Sequence, residues 1–174
     1  MSGPSIQWSQ RLWEAIIAWL EEAYPEEGCG LVVREPEGDA AFRRCENVID
    51  RYHEHDPEQY PRTARDFYMI DPREFLKVEE RGEKLEAIVH SHPDAGDYFS
   101  DADVDAALMP GSSEDDPVEP LYPGADYLVV SVRQGKAVQA SLYRFDGAAE
   151  AFERVRRWPE ASFNHRPAGE AVEG

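Results

Sequence analysis

The run Glu86-Ala87-Ile88-Val89-His90-Ser91-His92-Pro93 is followed by a six-residue spacer and then by Ser100-Asp101-Ala102-Asp103. The first part is aliphatic and predicts a buried strand, whereas the second begins with a residue type that caps helices. Side chains at positions i and i+2 of a strand point to the same face, so His90 and His92 are expected to direct both imidazoles at one point. The stretch thus predicts a strand, a loop and a helix arranged around a histidine pair.

Asp103 adds a carboxylate that can serve as a third metal ligand. Catalytic zinc usually takes three protein ligands and keeps a fourth position for water, whose pKa falls to about 7. His90, His92 and Asp103 therefore predict an open zinc site with one Zn²⁺ per chain.

Each half of this pattern also has an ordinary structural explanation. A His-x-His pair occurs on many strands that bind no metal, and Ser100-x-x-Asp103 is a helix N-terminal capping box. The two halves at a fixed spacing are much rarer than either alone. The roles are also compatible, because a helix that begins at Ser100 holds Asp103 in its first turn.

A hydrolytic zinc site also needs a general base, which is normally a carboxylate near the metal but not bound to it. Residues 9–24 predict an amphipathic helix that stops at Pro25, and Leu31-Val32-Val33 predicts a buried strand. Glu26 and Glu27 lie between these elements. They either solvate a turn, as most such pairs do, or bring a carboxylate to the site.

Taken together, these residues resemble the motif of the JAMM, or MPN-plus, metallopeptidases of the small prokaryotic single-domain type. The family pattern is His-x-His-Pro, a six-residue spacer and Ser-x-x-Asp, with a Glu upstream at the end of the first helix. The resemblance implies zinc ligation by His90, His92 and Asp103. It also implies general acid and base catalysis by Glu27 and stabilisation of the tetrahedral intermediate by Ser100.

Glu27 is preferred over Glu26 because Pro25-Glu26-Glu27-Gly28-Cys29-Gly30 resembles the Pro-x-Glu-x-Cys-Gly of prokaryotic members. The similarity extends over residues 10–147 and includes Asn47. Two segments depart from the family pattern, the bulky spacer at 94–99 and the acidic loop at 111–117. Neither segment contains an expected ligand, so the departures bear on substrate preference.

The fold implied by the resemblance is α/β (α+β) of the MPN/JAB type, with a central, mostly antiparallel β-sheet flanked by helices, as in cytidine deaminases. The implied reaction is hydrolysis of a peptide or isopeptide bond after the C-terminal Gly-Gly of a ubiquitin-like or sulfur-carrier protein. The leaving group is a small amine such as cysteine in one version and a lysine side chain of a target protein in the other. The alternative is a non-catalytic scaffold or assembly subunit, against which the intact set of ligands speaks.

Composition excludes several other classes of function. The chain has 174 residues, with 36 acidic and 18 basic side chains and a net charge of −18. This charge repels nucleic acids and anionic membranes. The sequence has no apolar run of the roughly twenty residues that span a bilayer and no signal peptide, so a cytoplasmic location is expected. Cys29 and Cys45 are too few for a disulfide framework and are expected to remain thiols.

The chain is expected to form one catalytic domain over residues 1–158, followed by a disordered tail at 159–174. A second His-x-His, His53-Glu54-His55, lies in a polar stretch without a third ligand at a recognisable spacing, and is interpreted as part of an exposed or substrate-facing loop. The remaining predicted elements are strands at 30–34, 41–49, 127–132 and 139–145, a loop at 50–65, and helices at 72–81 and 148–158.

Overall fold

The computed structural model describes residues 8–111 and 113–163 of the chain. Within these residues, a six-stranded sheet has the order β2-β1-β3-β4-β5-β6, and all neighbouring strands are antiparallel except β3 and β4, which are parallel. The predicted central, mostly antiparallel sheet with flanking helices is confirmed. The strands are β1 (Cys29–Arg34), β2 (Ala40–Cys45), β3 (Lys84–Pro93), β4 (Asp126–Arg133), β5 (Lys136–Asp146) and β6 (Ala151–Trp158). The α-helices are α1 (Gln10–Ala23), α2 (Ile49–His55), α3 (Pro72–Glu80) and α4 (Asp101–Ala107).

Helix α1 covers one face of the sheet. Ser9 caps it by accepting a hydrogen bond from the Leu12 amide, which satisfies one of the free N–H groups at the helix start. The buried side chains recur with the helical period and pack against aliphatic residues from the central strands. This cluster contains Leu12, Ile16, Ile17 and Leu20 of α1 with Val32, Val89, Leu128 and Val130 of the sheet.

Helices α3 and α4 cover the opposite face, where Val78 and Ala107 pack with Ile88 in a second buried cluster. Successive side chains of β3 alternate between the faces, so Val89 lies on the α1 side and Ile88 on the other. His90 continues the face of Ile88. The histidines of β3 therefore lie on the side of the sheet to which α4 contributes.

The helix predicted at 148–158 is wrong, because this segment forms the edge strand β6. Its Ala, Glu and Arg residues favour a helix, but pairing with β5 satisfies the backbone and allows two aromatic residues to pack. Phe152 lies against Phe145 at a ring-centroid distance of 5.4 Å, and Trp158 contacts Trp13 at 4.6 Å. The exposed charged residues between them suit an edge strand, since charge discourages pairing with another chain.

Two predicted irregular segments also contain helical structure. The segment predicted as a loop at 50–65 begins with α2, which Ile49 anchors in the core at 2% exposure. The tail predicted to be disordered from 159 begins instead with a 3-10 helix at Glu160–Ser162, and Phe163 packs against the α1 cluster. The strand predicted at 41–49 is shorter than expected, because β2 ends at Cys45 and Ile49 begins α2 instead. The rest of the predicted tail, 164–174, lies outside the described residues.

Among the described residues, no helix combines the length and apolar character needed to cross a bilayer.

We expect Gly30→Ala to destabilise the sheet, because a Cβ at this position would lie 2.5 Å from the Arg43 carbonyl oxygen and from the Phe42 ring. Overpacking of this kind costs about 1–3 kcal/mol. Gly147→Ala is the matched control, since a Cβ there would meet nothing within 4 Å. Denaturant unfolding of both variants measures the effect. Equal stability of the two would show that β2 can move away from β1 at little cost.

Candidate metal centre

Two histidines and a carboxylate converge at the end of β3. His90 and His92 are buried, with 0% and 6% of their surfaces exposed, and their Nε2 atoms lie 3.2 Å apart. Asp103 Oδ2 lies 3.3 Å from each of these nitrogens. The three expected ligand atoms thus form a nearly equilateral triangle. These are the three residues that the sequence pattern and the family resemblance predicted to be ligands.

The size of this triangle fits one face of a tetrahedral metal site. Ligand atoms that are bound tetrahedrally at 2.0–2.1 Å from zinc lie about 3.3 Å from one another. The observed separations of 3.2 and 3.3 Å match that edge. Two imidazole nitrogens and a carboxylate oxygen are also a donor set that suits zinc.

Helix α4 holds Asp103 in place through a complete capping box. The Asp103 amide donates to Ser100 Oγ at 3.1 Å, and the Ser100 amide donates to Asp103 Oδ2 at 3.0 Å. The carboxylate that caps the helix is therefore the same one that faces the histidines. One conformation of the Asp103 side chain therefore both caps the helix and directs the carboxylate at the histidines.

The two imidazoles are held by different neighbours. His92 Nδ1 lies 2.8 Å from the Gly96 carbonyl oxygen, so Nδ1 carries the proton and donates it, which leaves the Nε2 lone pair free for a metal. The ring of Tyr68 stacks on His90 at a centroid distance of 4.2 Å. Sequence reasoning included Tyr68 in a region of family similarity but gave it no role.

Glu27 reaches the site from the segment between α1 and β1. The Gly28 amide donates to Ser91 Oγ at 2.8 Å, and the Ser91 amide donates to the Gly28 carbonyl at 3.0 Å. The Glu27 amide also donates to the Ala64 carbonyl. Because Ser91 lies between the two histidines, these bonds fix the Glu27 segment beside them.

The Glu27 side chain is buried, with 4% of its surface exposed, whereas Glu26 is exposed. Glu27, His90 and His92 form a buried cluster, with ligand atoms within 4.8 Å of one another, that can hold a metal ion. Within the described part of the chain, Glu27 Oε1 is a buried oxygen without a hydrogen-bond partner. Burial raises the pKa of Glu27 to about 8. A nearby cation would favour the carboxylate form.

The protonation states of the ligand residues follow from burial and from their mutual contacts. Burial lowers the pKa of His90, which favours the neutral imidazole that a metal requires. Burial opposes ionisation of Asp103, but His90, His92 and the Ser100 side chain outweigh it and lower the pKa of that carboxyl group. Burial likewise opposes protonation of His92, yet the contact with Asp103 and the charge of Glu27 raise its pKa. The centre thus favours an anionic carboxylate beside its imidazoles.

Asn47 joins the segments around Glu27 into one unit. Its Nδ2 donates to the Glu27 carbonyl at 3.0 Å and to the Phe67 carbonyl at 2.9 Å. Its Oδ1 accepts hydrogen bonds from the Ile49 and Met69 amides. Asn47 is a point of family similarity, but nothing in the one-dimensional sequence connects it with the three distant backbone groups at Glu27, Phe67 and Met69.

The second His-x-His pair does not join this centre. His53 Nδ1 contacts the Tyr60 carbonyl oxygen at 2.7 Å, and His55 is exposed at the end of α2. The pair lies on helix α2 and not in the predicted loop. On a helix, side chains at positions i and i+2 point in different directions.

Comparison with known proteins places the chain in a family. The family model described as prokaryotic homologs of the JAB domain matches residues 9–158. Tail tip assembly protein K of Escherichia phage N15 is 32% identical over 104 residues, which cover 58% of this chain and 37% of the phage protein. The aligned region is thus little more than a third of that relative's length.

Two solution structures resemble the fold. One, of a protein from Desulfitobacterium hafniense, has a TM-score of 0.54 and 19% identity, and the match covers 84% of this chain and 86% of that one. The other, of a protein from Salinibacter ruber strain DSM 13855, has a TM-score of 0.54 and 23% identity, with 87% and 89% covered. At these identities the likeness concerns the fold alone.

We expect the purified protein to hold about one transition-metal ion per chain, and His90→Ala, His92→Ala and Asp103→Ala to lose it, because two remaining ligands bind too weakly. Elemental analysis of dialysed protein measures this, with thermal unfolding alongside to detect loss of fold. His53→Ala and His55→Ala remove the other His-x-His pair and should retain the metal. Full metal content in all three site variants would rule out this centre.

Proposed function

Because this chain belongs to the family of prokaryotic homologs of the JAB domain, we propose that it is a zinc-dependent peptidase or isopeptidase. One observation carries the proposal: the triangle of His90 Nε2, His92 Nε2 and Asp103 Oδ2 lies beside the buried carboxylate of Glu27. Ligands without a neighbouring base would suit a structural metal site. Ligands with a buried carboxylate next to them suit hydrolysis.

In this proposal, His90, His92 and Asp103 hold the zinc, and Glu27 remains outside its ligand set. The position of Asp103 supports this division, since its Oδ2 lies 3.3 Å from both imidazole nitrogens. When bound, zinc would supply Lewis acidity, which polarises a carbonyl group and makes water a stronger acid.

Glu27 is proposed to move the protons of the reaction. It takes a proton from the attacking water as the water adds to the carbonyl carbon, and it then gives this proton to the leaving amine. Its burial removes competing solvent, and its partnerless Oε1 is available to a water molecule in the site. The segment on which it stands is fixed by Ser91 and Asn47, so the carboxylate has a defined position.

Ser100 is proposed to donate a hydrogen bond to the oxyanion of the tetrahedral intermediate. The capping box uses Ser100 Oγ only as an acceptor, from the Asp103 amide. The hydroxyl can rotate, so its proton can point either to the Asp103 carboxylate or to a substrate oxygen. A donor of this kind is held in place before the reaction and stabilises charge as it develops.

We further propose that the substrate is a ubiquitin-like or sulfur-carrier protein cleaved after its C-terminal Gly-Gly. This rests on the family resemblance and on the aromatic rings beside the ligands. Tyr98 lies 5.0 Å from the His92 ring and is 55% exposed, and Tyr68 stacks on His90. Glycines, which lack side chains, suit an approach between bulky rings. The leaving group is either a small amine such as cysteine or a lysine side chain.

A cytoplasmic location belongs to the same proposal. Cys29 and Cys45 lie opposite each other on β1 and β2, and both are free thiols. Thiols persist in a reducing compartment.

A second candidate function is a non-catalytic role in assembly. The similarity to tail tip assembly protein K of Escherichia phage N15 favours it. In that case the centre would hold a metal that stabilises the fold and no hydrolysis would follow.

The test uses zinc-loaded protein with two kinds of adduct, a carrier extended by cysteine after Gly-Gly and a carrier joined there to a lysine ε-amine, with products identified by mass. We expect one adduct to be cleaved. Glu27→Gln should keep zinc and fold but lose about a hundredfold or more in rate, because an amide cannot accept the proton. Glu26→Gln, at the exposed neighbour, is the matched control and should retain the parental rate.

Each outcome of this experiment has a distinct meaning. An inactive Glu26→Gln with an active Glu27→Gln would exchange the roles of the two residues. A parent that binds zinc and cleaves neither adduct would favour the assembly role.

For Ser100 we expect Ser100→Ala to lose turnover as well as stability, because the variant lacks both the cap and the oxyanion donor. Loss of a cap costs about 1 kcal/mol, and loss of an oxyanion donor lowers the rate about a hundredfold or more. Ser9→Ala is the matched control, since Ser9 caps α1 in the same way. Steady-state rates corrected for folded fraction separate the effects. Equal rates for both variants would leave Ser100 as a cap only.

A further inference from the structure

The spacer at 94–99, which departs from the family pattern, is bound to the sheet through three successive backbone carbonyl groups. The Ala95 carbonyl accepts a hydrogen bond from Ser131 Oγ at 2.5 Å, and the Asp97 carbonyl accepts one from Tyr143 OH at 2.7 Å. Between them, the Gly96 carbonyl accepts the Nδ1 proton of His92. The carbonyl that orients His92 therefore belongs to a loop held on both sides.

The Asp97 side chain adds a buried anchor next to that carbonyl. Only 6% of the residue is exposed. One carboxylate oxygen accepts a hydrogen bond from Ser141 Oγ at 2.6 Å and lies 3.7 Å from Arg157 Nε. The other accepts one from Gln139 Nε2 at 3.1 Å. The anchor thus reaches strands β5 and β6. In the strand order these two strands lie beyond β3 and β4, whereas the Glu27 segment leads into β1.

We propose that Asp97 is a positioning residue that fixes the tautomer and orientation of His92 through the Gly96 carbonyl. The Gly96 carbonyl and the Asp97 nitrogen belong to one planar peptide unit, so whatever fixes Asp97 also fixes the direction of that C=O bond. Gly96 has no side chain of its own to restrain it. With the carbonyl in place, Nδ1 keeps the proton and Nε2 faces Asp103.

The polar partners of Asp97 indicate more than a structural contact. A buried carboxylate is costly unless it is well hydrogen-bonded, and a loop can be anchored by an apolar side chain at lower cost. Here the Asp97 carboxylate accepts two hydrogen bonds and lies near the guanidinium of Arg157. The backbone carbonyl of Asp97 accepts a third hydrogen bond. Such a set defines both the position and the rotation of the peptide unit.

This inference rests on the proposed function in one respect only, namely that His92 Nε2 is a metal ligand. The primary measurement therefore uses metal-free protein and observes the His92 ring itself. Nitrogen-15 NMR of the imidazole reports which nitrogen carries the proton, and the exchange rate of that proton with water reports its hydrogen bond. The second measurement is Co²⁺ affinity by chelator competition, with the visible spectrum of bound Co²⁺ reporting ligand geometry.

We expect Asp97→Ala to abolish the slowly exchanging Nδ1 proton of His92 and to weaken Co²⁺ binding ten- to a hundredfold, as loss of a ligand's outer partner does. Ser141→Ala removes one bond to the same carboxylate and should act in the same direction more weakly. Asp126→Asn is the matched control. Asp126 is another buried carboxylate of this sheet, bonded to Arg144, and its variant should lose stability without affecting His92.

The results separate the two proposals. A protected Nδ1 proton in both Asp97→Ala and Ser141→Ala would overturn the positioning role, and so would its loss in Asp126→Asn as well, which would indicate general loosening. If Asp97→Ala does not fold, Ser141→Ala alone decides between these outcomes. A parent that shows the protected proton but cleaves no adduct leaves the positioning role standing and removes the peptidase proposal.

Discussion

Two hydrogen bonds between Gly28 and Ser91 are the constraint on which the rest of the centre depends. Ser91 lies between His90 and His92, so a bond to its backbone and another to its side chain hold the Glu27 segment against the strand that carries both histidines. The alternation of β3 makes this possible, because the histidines occupy one face while Ser91 points to the other. Glu27 and the two histidines thus come from different parts of the chain but are held together by the same pair of hydrogen bonds.

Burial of the polar groups of this centre destabilises the folded protein when no ligand is bound. Glu27, His90, His92 and Asp103 are all buried, and burial of polar groups costs free energy unless each group is paired. Asp103 is paired through the capping box, but in the described residues Glu27 Oε1 and His90 Nδ1 have no hydrogen-bond partner. A cation that binds only the folded state would stabilise it and so offset part of this free energy. Buried polar atoms without partners, concentrated at one place in an otherwise consistent fold, are typical of a functional site.

The convergence of His90, His92 and Asp103 and most of the central elements could be predicted from the sequence because they follow from short-range patterns. Alternation placed His90 and His92 on one face, and the Ser100-x-x-Asp103 box gave the start of α4. What could not be predicted depends on pairing over long distances. Asn47 acts through backbone groups twenty or more residues away, at Glu27, Phe67 and Met69. No local periodicity reports such contacts.

The wrongly predicted helix at 148–158 shows how an edge strand can matter to a distant site. As a helix, this segment could not have placed Arg157 opposite Ser141 of β5, where both side chains approach the Asp97 carboxylate. Asp97 in turn lies next to the carbonyl that accepts the His92 proton. The outer strand β6 is therefore linked to β3, which carries the histidines, by a loop that crosses the sheet, and not through the intervening strands alone. The spacer that departs from the family pattern is thus anchored to the sheet through the Asp97 carboxylate.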